Sequence, residues 1–183
     1  LKDIHISRIC FDSDSNIWMG GGNGIAVYYP KRKTVKKLHH NEKDKNTLPP
    51  GGVMSLAKDN KGNVWFSIWN HGIYCFNHST KTFINYTHNP TDSSSIFKES
   101  VFAICPDIYN NIWVGSAIGA EVACLNLTTG KFKHYLHADK KLRYDIFYMS
   151  ADANGNVWMG SINNSLFKYD NKSGKISQYL HSQ

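Results

Sequence analysis

One phrase returns four times along the chain: Asn16-Ile17-Trp18-Met19-Gly20, Asn63-Val64-Trp65-Phe66-Ser67, Asn111-Ile112-Trp113-Val114-Gly115 and Asn156-Val157-Trp158-Met159-Gly160. Successive tryptophans stand 47, 48 and 45 residues apart. A fixed period of this size marks a chain built from stacked supersecondary units, propeller blades among them, because one unit alone cannot bury its apolar faces. What every unit shares is what every unit needs in order to fold. Functional residues are therefore sought among the positions that differ.

The second unit shows the pattern most fully. Val53 to Lys58 reads as a strand, Asp59-Asn60-Lys61-Gly62-Asn63 as a turn, and Val64 to Trp69 as a second strand. Asn70-His71-Gly72 turns the chain into Ile73-Tyr74-Cys75-Phe76, and a further turn at His78 to Lys81 leads into Thr82 to Tyr86. Strand side chains alternate, so the four repeat tryptophans face one side while Met19, Phe66, Val114 and Met159 face the other. A sheet apolar on both faces must be sandwiched between neighbours. The pattern predicts an all-β chain, a β-propeller segment of four four-stranded antiparallel blades near 6–45, 53–88, 101–137 and 146–180, with the tryptophans enclosed between blades. Four blades can close alone or form an open arc. An arc would leave apolar faces at its ends, which predicts self-association through them.

Composition narrows the function. The formal charge of +7 invites a nucleic-acid reading, but Lys31, Arg32, Lys33, Lys36 and Lys37 crowd one hairpin without interleaved aromatics, and no nucleic-acid contact is expected. No stretch approaches the roughly 18 apolar residues of a membrane span. The chain starts with neither an initiator Met nor a signal peptide and reads as a piece of something longer. Cys10, Cys75, Cys105 and Cys124 lack metal-ligand spacing and align with small packing positions of the repeat. Asp12-Ser13-Asp14-Ser15-Asn16 has the alternating oxygens of a calcium loop, yet the other copies keep only the first acid and the last Asn, which a hairpin turn requires. No metal or cofactor is expected. His39, His88, His137 and His181 follow the repeat as loop-packing residues, with no nucleophile, acid pair or orienting group beside them, so no catalytic residue is assigned.

The run His88-Asn89-Pro90-Thr91-Asp92-Ser93-Ser94-Ser95-Ile96, followed by Val101 to Ile104, Asn111-Ile112-Trp113-Val114-Gly115 and Gly130-Lys131-Phe132, resembles the two-component regulator propeller repeat. The resemblance spans nearly the whole chain in four copies. Gly24-Ile25 and Gly72-Ile73 match that repeat's Gly-Leu pair, whereas Ala120-Glu121-Val122 and Ser165-Leu166 depart from it. The resemblance implies part of a larger, seven-bladed propeller in the periplasmic sensor region of a hybrid histidine kinase of Bacteroidetes. It also implies an oligosaccharide ligand and a partner in the remainder of the parent kinase, where the signalling chemistry would lie. The alternative is a structural or protein-interaction propeller without a small ligand, and an enzyme is a distant third.

Binding residues are expected at the non-repeated turns. Trp69, Asn70 and His71 place an aromatic ring beside two hydrogen-bonding groups, and Asn23 and Asn164 occupy matching turns. An aromatic face against the C–H surface of a sugar, with amide or imidazole groups to its hydroxyls, suits carbohydrate.

Overall fold

The computed structural model describes residues 5–38, 47–97, 101–116, 121–136, 145–162 and 165–180. Each unit is a four-stranded antiparallel meander with its strands in chain order. Blade 1 comprises β1 (Ile6–Phe11), β2 (Ile17–Gly21), β3 (Gly24–Tyr29) and β4 (Thr34–Leu38). Blade 2 comprises β5 (Val53–Lys58), β6 (Val64–Ile68), β7 (Ile73–Phe76) and β8 (Phe83–Tyr86). Blade 3 follows with β9 (Val101–Pro106), β10 (Ile112–Ser116), β11 (Val122–Asn126) and β12 (Lys131–Leu136). Blade 4 is formed by β13 (Ile146–Ala151), β14 (Val157–Ser161), β15 (Ser165–Asp170) and β16 (Lys175–Leu180). The first strands lie against one another in the order β1, β5, β9, β13 and so form the inner wall. The chain is four blades of a β-propeller, consistent with a segment of a larger one.

Three apolar clusters fill the three blade junctions. Trp18, Ile25 and Val27 meet Val64, Phe66 and Tyr74 between blades 1 and 2, with Leu48 of the connection beneath them. Trp65, Ile73 and Cys75 meet Ile112, Val114 and Leu125 between blades 2 and 3, where Ile96 and Phe97 join them. Trp113, Val122 and Cys124 meet Val157, Met159 and Phe167 between blades 3 and 4. Trp18, Trp65 and Trp113 are each at most 2% exposed. Trp158 corrects the expectation that all four are enclosed: it is only partly buried, because its face is the outer face of blade 4. Leu166 and Tyr179 are exposed there, as Ile9 and Phe11 are on blade 1.

Every turn from first to second strand is built on one aspartate. Asp59 Oδ1 accepts from the backbone N–H groups of Lys61 and Asn63, both at 2.9 Å. Its Oδ2 accepts from Asn63 Nδ2 at 2.9 Å and from the buried indole Nε1 of Trp65 at 2.8 Å. Asp12, Asp107 and Asp152 bind their own Asn and Trp in the same way, with indole distances of 3.0, 3.0 and 3.1 Å. Turn capping accounts for these acids, and it extends further than the turn: the same carboxylate satisfies the indole N–H that burial would otherwise leave without a partner. In Asp12 both oxygens are taken by these donors. The cysteines sit in the same layer: Cys10 and Cys105 pair across from Trp18 and Trp113, and Cys75 from Trp65. All four are free thiols.

The glycine that closes the Trp-Met-Gly phrase has a packing role. A Cβ on Gly20 would lie 2.6 Å from Val53 Cγ1, and one on Gly115 would lie 2.6 Å from Ile146 Cγ2. The first residue of the next blade's inner strand thus rests on bare backbone. Gly160 meets nothing nearer than Tyr148 Cβ at 3.9 Å, as suits a blade whose outer face is uncovered.

Candidate ligand-binding site

The turn at residues 69–72 joins β6 to β7. His71 N donates to Ile68 O at 2.9 Å and Ile68 N to Gly72 O at 3.2 Å, closing it tightly. Asn70 takes φ 59° and Gly72 φ 74°, the left-handed region that asparagine and glycine tolerate best. At Gly72 a side chain would also collide with the Tyr86 carbonyl. Trp69 N donates to Gly52 O at 2.9 Å, tying the turn to the connection that enters blade 2. A Cβ on Gly52 would lie 3.4 Å from Gly22 O, so this connection runs beside the blade 1 turn that carries Asn23.

Trp69, Asn70 and His71 therefore share one turn, and Asn23 belongs to the neighbouring turn on the same edge of the arc. Trp69, Asn70 and Asn23 are exposed, and His71 is half-buried. Asn164 lies outside the described residues. Trp69 is not a free-standing ring. It meets Phe102 edge-on at 5.2 Å between centroids, and Phe102 meets Phe147 edge-on at 4.9 Å. The Phe102 ring braces the indole, and Phe147 backs Phe102, while 42% of Trp69 stays accessible.

Phe102 and Phe147 also line a cavity of about 380 Å³ on the inner wall, together with Arg8, Ser55, Tyr148 and Met149. Arg8 is held by its own backbone surroundings, with Nε donating to Met54 O at 3.1 Å and Nη1 to Ser7 O at 2.9 Å. Ser55 Oγ accepts from Ile104 N at 3.0 Å and so links blade 2 to blade 3. Tyr148 is 70% exposed. Sequence reasoning passed over these four lining residues. Variation is visible there, since at two adjacent inner-strand positions the units read Ser7-Arg8, Met54-Ser55, Phe102-Ala103 and Phe147-Tyr148 with only Phe recurring, but it does not show that these strands enclose a cavity. The rim and the cavity combine aromatic faces, a guanidinium, hydroxyls and amides. Among the described residues no group of three His, Cys, Asp or Glu is placed to hold a metal ion.

The repeat histidine at the exit of blade 2 packs a loop, with His88 Nδ1 2.8 Å from Ile96 O. His39, His137 and His181 lie outside the described residues. The basic hairpin residues Lys31, Arg32, Lys33 and Lys36 are all exposed.

No family model matches the chain. Over 114 residues, 62% of its length, it is 26% identical to Histidine kinase P4 of Formosa agariphila, of which that stretch is 8%. Its fold is similar to the extracellular domain of the hybrid two-component system BT3049 of B. thetaiotaomicron, with a TM-score of 0.79 and 18% identity over 94% of this chain and 24% of that one. The likeness is one of fold, a β-propeller. Virginiamycin B lyase from Staphylococcus aureus is also similar, with a TM-score of 0.76 and 14% identity over all of this chain and 58% of that one. The chain spans only part of each of these relatives. An extracellular two-component domain and a lyase share this architecture, so the fold does not decide between binding and catalysis, and the site must. Among the described residues no helix is long and apolar enough to cross a membrane.

Proposed function

We propose that this propeller segment is a ligand-sensing part of the periplasmic region of a two-component histidine kinase, and that it detects an oligosaccharide. The observation that carries the reading is the row Trp69, Phe102, Phe147: a part-accessible indole braced against Phe102 beside the inner-wall cavity lined by Arg8 and Tyr148. A braced ring loses little freedom on stacking against a sugar, which is where a flexible aromatic would lose affinity. Asn70, His71 and Asn23 stand on the same edge to meet hydroxyls. The row crosses blades 2, 3 and 4, so one ligand on it would contact several blades and favour one relative arrangement of them. Such a differential contact is what a sensor needs to pass a change to the kinase portion of its parent chain. The histidine kinase and extracellular two-component relatives support this context.

The test is a screen of oligosaccharides by thermal unfolding of the isolated chain. A binder at 100 times its dissociation constant should stabilise the fold by about 2.7 kcal/mol. Failure of every glycan in a broad panel would count against the reading and promote a propeller that works through protein contacts. The exposed apolar residues on the outer faces of blades 1 and 4 favour that second reading in one respect, since they call for a covering partner, either another copy or further parts of the parent protein.

A further inference from the structure

We propose that the junction of blades 3 and 4 carries a second ligand site, on the edge of the arc opposite Trp69, shaped for a single uncharged sugar ring. A cavity of about 250 Å³ opens there. That is below the roughly 300 to 1,000 Å³ of pockets that take drug-sized ligands, and it suits one ring rather than a chain. Its floor is aromatic. Trp113 packs on Tyr135 at 4.9 Å and on Tyr169 at 4.4 Å between centroids, and the two tyrosines meet at 5.2 Å. Tyr109 stands exposed at the mouth.

Polar groups surround this floor with capacity to spare. Asn171 Nδ2 donates to Tyr109 Oη at 2.8 Å, which leaves the phenolic hydrogen and Asn171 Oδ1 for a ligand. Asn126 spends its Oδ1 on the N–H groups of Thr128 and Thr129, and its amide Nδ2 has no protein partner among the described residues. Lys133 lies over the Tyr135 ring with Nζ 4.9 Å from the centroid and makes no ion pair among the described residues. Asp107 lines the cavity too, but its carboxylate is occupied by Tyr109 N, Asn111 N, Asn111 Nδ2 and Trp113 Nε1. Donors and acceptors at the sides with rings below match a molecule that has hydroxyls around its edge and C–H bonds on its face. Lys133 already supplies the cation for the Tyr135 face, so an ammonium ligand is disfavoured there.

Asp107, Trp113, Asn126 and Tyr135 follow the repeat, as Asp59, Trp65, Asn77 and Tyr86 do in blade 2, and the remaining residues vary from junction to junction. Between blades 2 and 3 the positions of Tyr109, Lys133, Tyr169 and Asn171 are held by Lys61, Ile84, Leu125 and Leu127, and Leu125 and Leu127 pack into the apolar cluster. Between blades 1 and 2 the position of Tyr109 is held by Asp14, which is bridged by Lys81 at 3.4 Å and His78 at 3.8 Å. There Lys36, Phe76 and His78 hold the positions of Lys133, Tyr169 and Asn171, so the lysine recurs, and what is particular to the blade 3 and 4 junction is the combination of Tyr109 and Tyr169 with Asn171.

The test is a titration of the isotopically labelled chain with glucose, galactose, mannose and their methyl pyranosides, read at the side-chain amides of Asn126 and Asn171 by nuclear magnetic resonance. The proposal expects saturable shifts for at least one sugar, with affinity at least about tenfold weaker, or about 1.4 kcal/mol, in Lys133→Met and in Tyr109→Ala, and unchanged in Trp69→Ala. Lys133 is exposed, so its substitution reads the site even where Tyr109→Ala disturbs the fold. Absence of saturable shifts across the panel overturns the proposal, as does affinity unaltered in both variants. Loss of the shifts in Trp69→Ala overturns it as well, since that result would assign the binding to the other edge.

Discussion

At the residue scale the decisive unit is Asp-x-x-x-Asn-x-Trp. An indole buried between two sheets must find a partner for its N–H, and the aspartate six residues earlier supplies it while holding the turn. Trp65→Ala should therefore destabilise the chain by about 3 to 5 kcal/mol as a buried aromatic truncation. Asp59→Ala should cost about 2 to 3 kcal/mol, since it strips the indole and two backbone N–H groups of a charged acceptor. Denaturant unfolding of both variants checks these values. In Asp152 the hydrogen bonds from Asn156 and Trp158 hold the carboxyl down to about 2 from an ordinary 3.8. A carboxyl depressed by folding binds fewer protons folded than unfolded, so its contribution is present above pH 3.8 and is lost as pH falls through about 2. A plot of stability against pH should fall across that window and should fall less in Asp152→Asn. Burial pushes the thiols of Cys75 and Cys124 up to about 12 and that of Cys105 to about 11. These thiols stay protonated and should react with an alkylating reagent only after unfolding.

At the element scale, blades join where an inner strand rests on the bare backbone of its neighbour. Gly115→Ala should cost about 1 to 3 kcal/mol, because its Cβ would press on Ile146. Gly160→Ala should be nearly neutral in the chain diluted below the concentration at which it associates, since that position then faces open space. Comparing the two by thermal unfolding also reports on assembly: a penalty at Gly160 equal to that at Gly115 would mean that another blade covers this face. The four-stranded meander and its period were legible in the sequence because both are local, written in alternating side chains and turn residues within about 45 positions. The turn of Trp69, Asn70 and His71 was legible for the same reason, since it interrupts a strand pattern. Phe102, Phe147 and Arg8 were not, because an inner-wall cavity arises only when strands from separate blades stand side by side. The set around Trp113 escaped notice likewise: Tyr109, Tyr135 and Tyr169 meet only across the blade 3 and 4 junction.

At the scale of the whole molecule, the two ends of the arc present complementary faces. Blade 4 offers the partly buried Trp158 with Leu166 and Tyr179, and blade 1 offers Ile9 and Phe11, on the side that receives a tryptophan at each internal junction. Head-to-tail association of the isolated chain should follow, and sedimentation at rising concentration should show it weakened in Trp158→Arg. The central claim concerns the braced indole at the other edge, and calorimetry tests it most directly. An oligosaccharide that binds the chain should lose at least about tenfold in affinity, or about 1.4 kcal/mol, on Trp69→Ala, while the thermal unfolding of that variant stays close to that of the parent. Undiminished affinity in a folded Trp69→Ala chain would contradict the account.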